Sequence, residues 1–152
     1  MLTFPTKFDM VDPLLNLKHG GRTIIRVSVN PDEVIRKIEF GTSTLKSRID
    51  AINKLTAAGY PVGILIAPVI LINNWEFLYE NLIVYLRDNL SKSAKETIFF
   101  EVILMTYSYI HKVINKEAFP NAIDLYNPDS STYINIIKEG NVTVNITDVD
   151  MI

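Results

Sequence analysis

The chain alternates between two hydrophobic periods. Leu2 to Phe8 repeats every second residue, with Leu2, Phe4, Thr6 and Phe8 on one face and Thr3, Pro5 and Lys7 on the other, and reads as a strand. Asp9 to Lys18 reads as a short helix closed by His19-Gly20-Gly21. Thr23 to Val29 is β-branched and apolar apart from Arg26 and Ser28, the signature of a buried strand. Asn30-Pro31-Asp32-Glu33 then has the form of a helix start, with Asn30 suited to the N-cap, Pro31 to the first helical position and two acids to the positive end of the dipole.

A second helix is expected from Ser43 to Ala58, with Leu45, Ile49, Ile52 and Leu55 as its apolar stripe and Gly59 as its stop. Tyr60 to Pro68 is the third strand. Asn73 to Leu90 is a long amphipathic helix opened by an Asn73…Glu76 cap pattern, with Trp75, Leu78, Leu82 and Tyr85 inward. Thr97 to Met105 is a fourth strand and Tyr109 to Glu117 a further helix. Beyond an exposed loop at Asn127 to Ser131, Thr132 to Lys138 and Asn141 to Thr147 favour strand and flank Glu139-Gly140, which reads as a β-hairpin.

Helices alternating with buried strands specify an α/β fold of parallel β/α units. About four such units precede residue 120, whereas a closed barrel needs eight strands and ~250 residues. The expected architecture is therefore a partial parallel β/α barrel over residues 1–125, followed by a divergent C-terminal loop and β-hairpin over residues 126–152.

Composition narrows the chemistry. Of 152 residues 48% are hydrophobic and the mean hydropathy is +0.18, so either the core is large or some apolar surface meets another chain or segment. Charges of both signs are interspersed and the formal net charge is −2, unlike the basic face that holds a nucleic-acid backbone unaided. There is no cysteine, which excludes disulfides, thiolate nucleophiles and iron–sulfur ligation by this chain's own residues. His19 and His111 lie in no ligand spacing. The longest apolar stretch, Val62 to Ile72, falls far short of the ~20 residues of a membrane-spanning helix, and the N-terminus carries no leader pattern, so a cytoplasmic location is expected.

Glycine-rich phosphate loops and a Gly-x-Ser-x-Gly elbow are absent. Gly41-Thr42-Ser43-Thr44 reads as a cap and turn before a helix, and Tyr107, Tyr109, Tyr126 and Tyr133 as packing residues without the basic neighbours that base stacking requires. Parallel β/α folds place their sites at the C-terminal ends of strands. Lys7 ends the first strand, Ser28 and Asn30 share a face at the end of the second, and Ala67-Pro68 ends the third. Each also has a plain structural reading: a solvated lysine, a serine bonded to backbone, a helix N-cap and an ordinary strand end.

The run Thr6-Lys7-Phe8, then Leu14 to His19, then Arg26-Val27-Ser28-Val29-Asn30 resembles spore photoproduct lyase. So do Phe40-Gly41-Thr42-Ser43, Arg48-Ile49-Asp50-Ala51, Ala58 to Gly63, Ile66-Ala67-Pro68-Val69 and Asn74-Trp75-Glu76, a similarity over about residues 2 to 103. That family belongs to the radical S-adenosylmethionine (SAM) enzymes, which use a partial β/α barrel and repair a thymine dimer in spore DNA. A [4Fe–4S] cluster bound by Cys-x-x-x-Cys-x-x-Cys cleaves SAM to a 5′-deoxyadenosyl radical, which removes a hydrogen from the lesion. The resemblance implies that Lys7 and Ser28 contact the polar part of SAM, that Asn30 contacts its ribose or amino-acid end, and that backbone at Ala67 touches the adenine. It implies no cluster ligand and no hydrogen-donor cysteine in this chain. Leu104-Met105-Thr106 replaces the family's Gln-His-Arg-like stretch, and Tyr126 to Tyr133 lacks the arginine of its lesion-binding hairpin.

Three functional readings follow. The chain is the C-terminal half of a spore photoproduct lyase-like protein, inactive alone, as the product of a split gene with its N-terminal half on another chain, of a truncated gene, or as a fragment; or a non-enzymatic remnant barrel that binds SAM, a nucleotide or a partner; or a half-barrel that forms a homo-oligomer to bury its open edge. Damaged DNA enters as a partner only through the resemblance.

Overall fold

A computed structural model describes residues 1–105, 109–124 and 143–147, the last as backbone only. One five-stranded sheet runs in the order β1 (Leu2–Thr6), β2 (Thr23–Val29), β3 (Val62–Ile66), β4 (Phe99–Met105) and β5 (Thr143–Thr147). Every neighbouring pair is parallel. The helices between them are α1 (Asp32–Lys37), α2 (Leu45–Ala57), α3 (Trp75–Asn89), α4 (Lys92–Thr97) and α5 (Tyr109–Ala118). The α/β class and the parallel sheet expected from the alternating periods are present. The expected strand at 132–138, and so the hairpin, lies outside the described residues, as do Tyr107, Tyr126 and Tyr133.

The core lies on one face of the sheet. Ile25, Val27 and Val29 of β2 and Val62, Ile64 and Ile66 of β3 meet Leu45, Ile49, Ile52 and Leu55 of α2, Leu82 and Leu86 of α3 and Ala94 of α4. The α2 stripe lies where its spacing placed it, and burying each of these side chains contributes about 1.5–3 kcal/mol. The opposite face carries the alternate residues. Register aligns Arg26 with Gly63 and Gly63 with Phe99, and Arg26 reaches across to pair with Glu101 at 3.1 Å. Gly63 makes this layer possible, because a Cβ there would sit 2.6 Å from the Phe99 ring.

Several expectations are corrected. β1 ends at Thr6, so Lys7 stands just beyond the strand. Asp9 to Lys18 forms only one 3-10 turn, Asp12–Leu14. Pro13 offers no N–H, and the Leu14 carbonyl, which takes the Leu17 N–H at 3.1 Å in a tight turn, also accepts from the Tyr60 hydroxyl at 2.8 Å. Tyr60 in turn stacks on His19 with ring centroids 3.6 Å apart, which pins this loop to the end of α2 through His19 Nε2 and the Ala58 carbonyl. Asn73 does not cap α3: Asn74 precedes the helix at φ 61°, with no side-chain cap bond. α4 has no counterpart in the sequence reading. Ser91 starts it by accepting from the Ala94 N–H, and β4 consequently begins at Phe99 instead of Thr97.

Candidate functional site

The four residues singled out from sequence converge at the C-terminal ends of β1, β2 and β3. The Lys7 ammonium donates to Ser28 Oγ at 3.0 Å, to the Ala67 carbonyl at 3.2 Å and to Glu39 Oε1. Ser28 Oγ also donates to the Ala67 carbonyl, at 3.3 Å. Asn30 Nδ2 donates to Glu39 Oε1 at 2.8 Å and to the Pro68 carbonyl at 3.3 Å, while its Oδ1 accepts from the Tyr79 hydroxyl at 2.9 Å. Parallel pairing is the cause: Thr6 lies opposite Val27 and Val29 opposite Ile66, so the residues that follow each strand meet at one rim.

Asn30 is not the N-cap of α1, which corrects the simplest sequence reading. Pro31 occupies that position, and no side chain caps the helix. The Asn30 side chain is fully buried, with its oxygen and its amide nitrogen both engaged in the cluster. A buried amide must satisfy its donors where it is, and here the partners lie on the α1 exit, the β3 exit and α3.

Two central residues were not singled out as site residues from the sequence. Glu39 follows α1 and is nearly buried, its side chain 6% exposed. Its carboxylate accepts from Lys7, from Asn30 and, through Oε2, from Arg48 Nη2 at 2.8 Å. Burial pushes the Glu39 carboxyl up, but donors from Lys7, Asn30 and Arg48 outweigh it and hold it below the ordinary glutamate value. Arg48 on α2 is fully buried. It also donates to the Ser43 carbonyl at 2.8 Å, the Ser28 carbonyl at 3.0 Å and Thr42 Oγ1 at 2.7 Å. The signal for Arg48 was available: it sits at helical spacing between Leu45 and Ile52, a cation on an apolar stripe. Glu39 had no periodic signal, because it lies in the turn between two helices.

Gly41 to Thr44 behaves as a cap and turn. Gly41 adopts φ 75°, and Thr44 caps α2 by accepting from the Ser47 N–H. The rim as a whole holds two cations and one carboxylate, an excess of one positive charge. Lys7 is one-third exposed and is the charged part of it that solvent reaches.

A family model described as spore photoproduct lyase matches residues 1–132. The chain belongs to the spore photoproduct lyase family. It is 40% identical over 119 residues to spore photoproduct lyase of Bacillus subtilis (strain 168), and 35% identical over 119 residues to that of Geobacillus sp. (strain Y412MC61). Each match covers 78% of this chain and 35% of the relative, so the chain spans about a third of the length of these proteins.

Among solved structures of the family, a spore photoproduct lyase variant with bound AdoMet and dinucleoside spore photoproduct superposes with a TM-score of 0.75 at 34% identity. That match covers 82% of this chain and 37% of that chain. A second variant of spore photoproduct lyase matches with a TM-score of 0.77 at 27% identity, over 96% of this chain and 51% of that one.

The chemistry of the rim limits what it could hold. Its excess positive charge, carried toward solvent by Lys7, suits a ligand with a carboxylate. An iron–sulfur cluster does not fit: the chain has no cysteine, and the described residues include no group of His, Cys, Asp or Glu that could hold a metal ion.

Proposed function

We propose that this chain is the SAM-binding wall of a spore photoproduct lyase-like protein, equivalent to the C-terminal part of its β/α barrel. The observation that carries the reading is the convergence of Lys7, Ser28, Asn30 and the Ala67 carbonyl on one rim at the C-terminal ends of three parallel strands. Lys7 and Ser28 take the polar end of SAM, Asn30 its ribose or amino-acid end, and backbone at Ala67 its adenine. When reduced, SAM supplies a 5′-deoxyadenosyl radical. This chain's residues would orient the molecule and neutralise its carboxylate.

The [4Fe–4S] ligands and the hydrogen-donor cysteine must come from outside this sequence, on an N-terminal half or another chain, so the chain by itself is not catalytic. A thymine lesion in DNA is the substrate of the whole assembly. The rest of the barrel would cover the sheet face that carries Arg26 and Glu101. No helix among the described residues is long and apolar enough to cross a membrane.

The absence of cysteine also supports a second reading, a remnant barrel that binds SAM or a nucleotide without radical chemistry. Isothermal titration of the 152-residue chain with SAM tests what the two readings share. Binding heat from wild type, weakened by Ser28→Ala, is expected. No heat from wild type removes the SAM wall. Radical chemistry on adding a cluster-bearing N-terminal half then separates the enzyme from the remnant.

A further inference from the structure

As a ligand contact, the role the SAM-wall reading gives it, Lys7 has no donor to spare. An ammonium has three N–H groups, and Ser28 Oγ, the Ala67 carbonyl and Glu39 Oε1 take all three. A ligand carboxylate must therefore displace one of them. Two are neutral oxygens at 3.0 and 3.2 Å, and the third is a nearly buried carboxylate. The charge-assisted partner is the hardest to remove.

Glu39 is itself held from three elements. Arg48 fixes Oε2 from α2, Asn30 fixes Oε1 from the end of β2, and the Glu39 main chain hangs from the last turn of α1 through its N–H and the Ile35 carbonyl at 3.1 Å. Arg48 in turn is tied to the Ser28 and Ser43 carbonyls. A carboxylate so tethered moves little, whereas the Lys7 stem is long, partly exposed and begins beyond a strand end.

We infer that Glu39 is the positioning residue of the rim: it holds the Lys7 ammonium at the C-terminal end of β2, and an incoming ligand carboxylate replaces a neutral oxygen while the Glu39–Lys7 pair persists. The inference rests on the SAM-wall reading for the identity of the ligand. Arg48 keeps Glu39 ionised and aimed while Lys7 exchanges partners. Asn30, bonded to the same Oε1, keeps the carboxylate from rotating away.

The test uses the full chain, with Glu39→Gln, Lys7→Met and the double variant, each checked for folding by thermal melting. Glu39→Asp, which withdraws the carboxylate by one methylene, serves where Glu39→Gln does not fold. One readout needs no ligand: the rate at which an amine acylating reagent modifies Lys7, compared with the exposed Lys18 and Lys46. Slow modification in wild type and a rate like that of Lys18 in Glu39→Gln are expected. An unchanged Lys7 rate in a folded variant overturns the inference.

The second readout is titration with SAM and with S-adenosylhomocysteine, which lacks the sulfonium charge. Glu39→Gln should weaken both by about tenfold, the scale of one charge-assisted hydrogen bond, and should cost nothing further on the Lys7→Met background. An equal loss on that background means that Glu39 acts independently of Lys7, and a loss confined to SAM means that it acts as a distant charge; either overturns the inference. A wild type that binds neither ligand, with Lys7 freed in Glu39→Gln, sinks the SAM reading while supporting the role of Glu39.

Discussion

Arg48, on the second helix, donates to the main-chain oxygen of Ser28 at 3.0 Å, and so ties the buried face of a helix to the tip of a strand. The same guanidinium is fully buried and pairs with Glu39. A charge placed there is tolerated because its hydrogen bonds reach two carbonyls, a hydroxyl and a carboxylate.

Removing Arg48 strands that carboxylate. Arg48→Met keeps much of the volume but leaves Glu39 buried without its second cation, and is expected to cost about 3–5 kcal/mol in urea unfolding. A loss below about 1 kcal/mol would show that the pair does not hold the rim together.

Glu39 also sets an acid-side dependence. Its carboxyl lies below its ordinary value in the folded chain, with burial opposing and the Lys7, Asn30 and Arg48 donors prevailing. The folded state therefore binds that proton less readily than the unfolded state does, so the stabilisation is fully present above about pH 4.5 and is lost as pH falls through the lower folded value. Unfolding free energy measured from pH 6 to pH 3 should fall less steeply in Glu39→Gln than in wild type. Parallel curves would contradict the assignment.

Asn30→Asp separates a capping role from a cluster role. Aspartate caps a helix as well as asparagine does, so a cap would tolerate the change. Within the cluster it replaces a donor that faces Glu39 Oε1 and the Pro68 carbonyl with an acceptor. A loss of about 1–3 kcal/mol in chemical denaturation is expected, and an unchanged midpoint would restore the cap.

Gly63 tests the polar face of the sheet. Valine there would meet the Phe99 ring and the Arg26 stem, with a Cβ 2.6 Å and 3.2 Å from their nearest atoms. Gly63→Val is expected to cost about 1–3 kcal/mol. Adding Phe99→Ala should recover part of that, since the ring is the closer obstacle; melting curves without such rescue would place the strain elsewhere.

The core makes a simpler contrast along α3. Leu82 is buried and Ile83 is half exposed. Leu82→Ala should cost about 2–5 kcal/mol and Ile83→Ala within about 0.5 kcal/mol. Equal effects would mean that α3 docks through another face.

Sequence by itself determined the elements that repeat. The buried apolar runs of β2 and β3 and the Leu45-Ile49-Ile52-Leu55 stripe follow from local side-chain character and direction, which need no knowledge of the rest of the chain. They were enough to give a parallel α/β sheet, and with it the rule that sites gather at strand C-termini, which pointed to Lys7, Ser28, Asn30 and Ala67. α4 escaped because one helical turn and a half offers too little periodicity. The Asp9 to Lys18 helix failed because a local start signal could not show that the distant Tyr60 would anchor the segment at the Leu14 carbonyl and the His19 ring.

The tertiary structure decided what those four residues bond to. Asn30 fits a helix cap when only its neighbours along the chain are seen, and becomes a buried bridge once Glu39, Pro68 and Tyr79 are brought to it. Glu39 and Arg48 carry the rim's charge from a turn and a helix, 32 residues beyond Lys7 in the first case. Neither position announces a partner so far along the chain, because a hydrogen bond depends on where folded elements end and not on the spacing of residues within one.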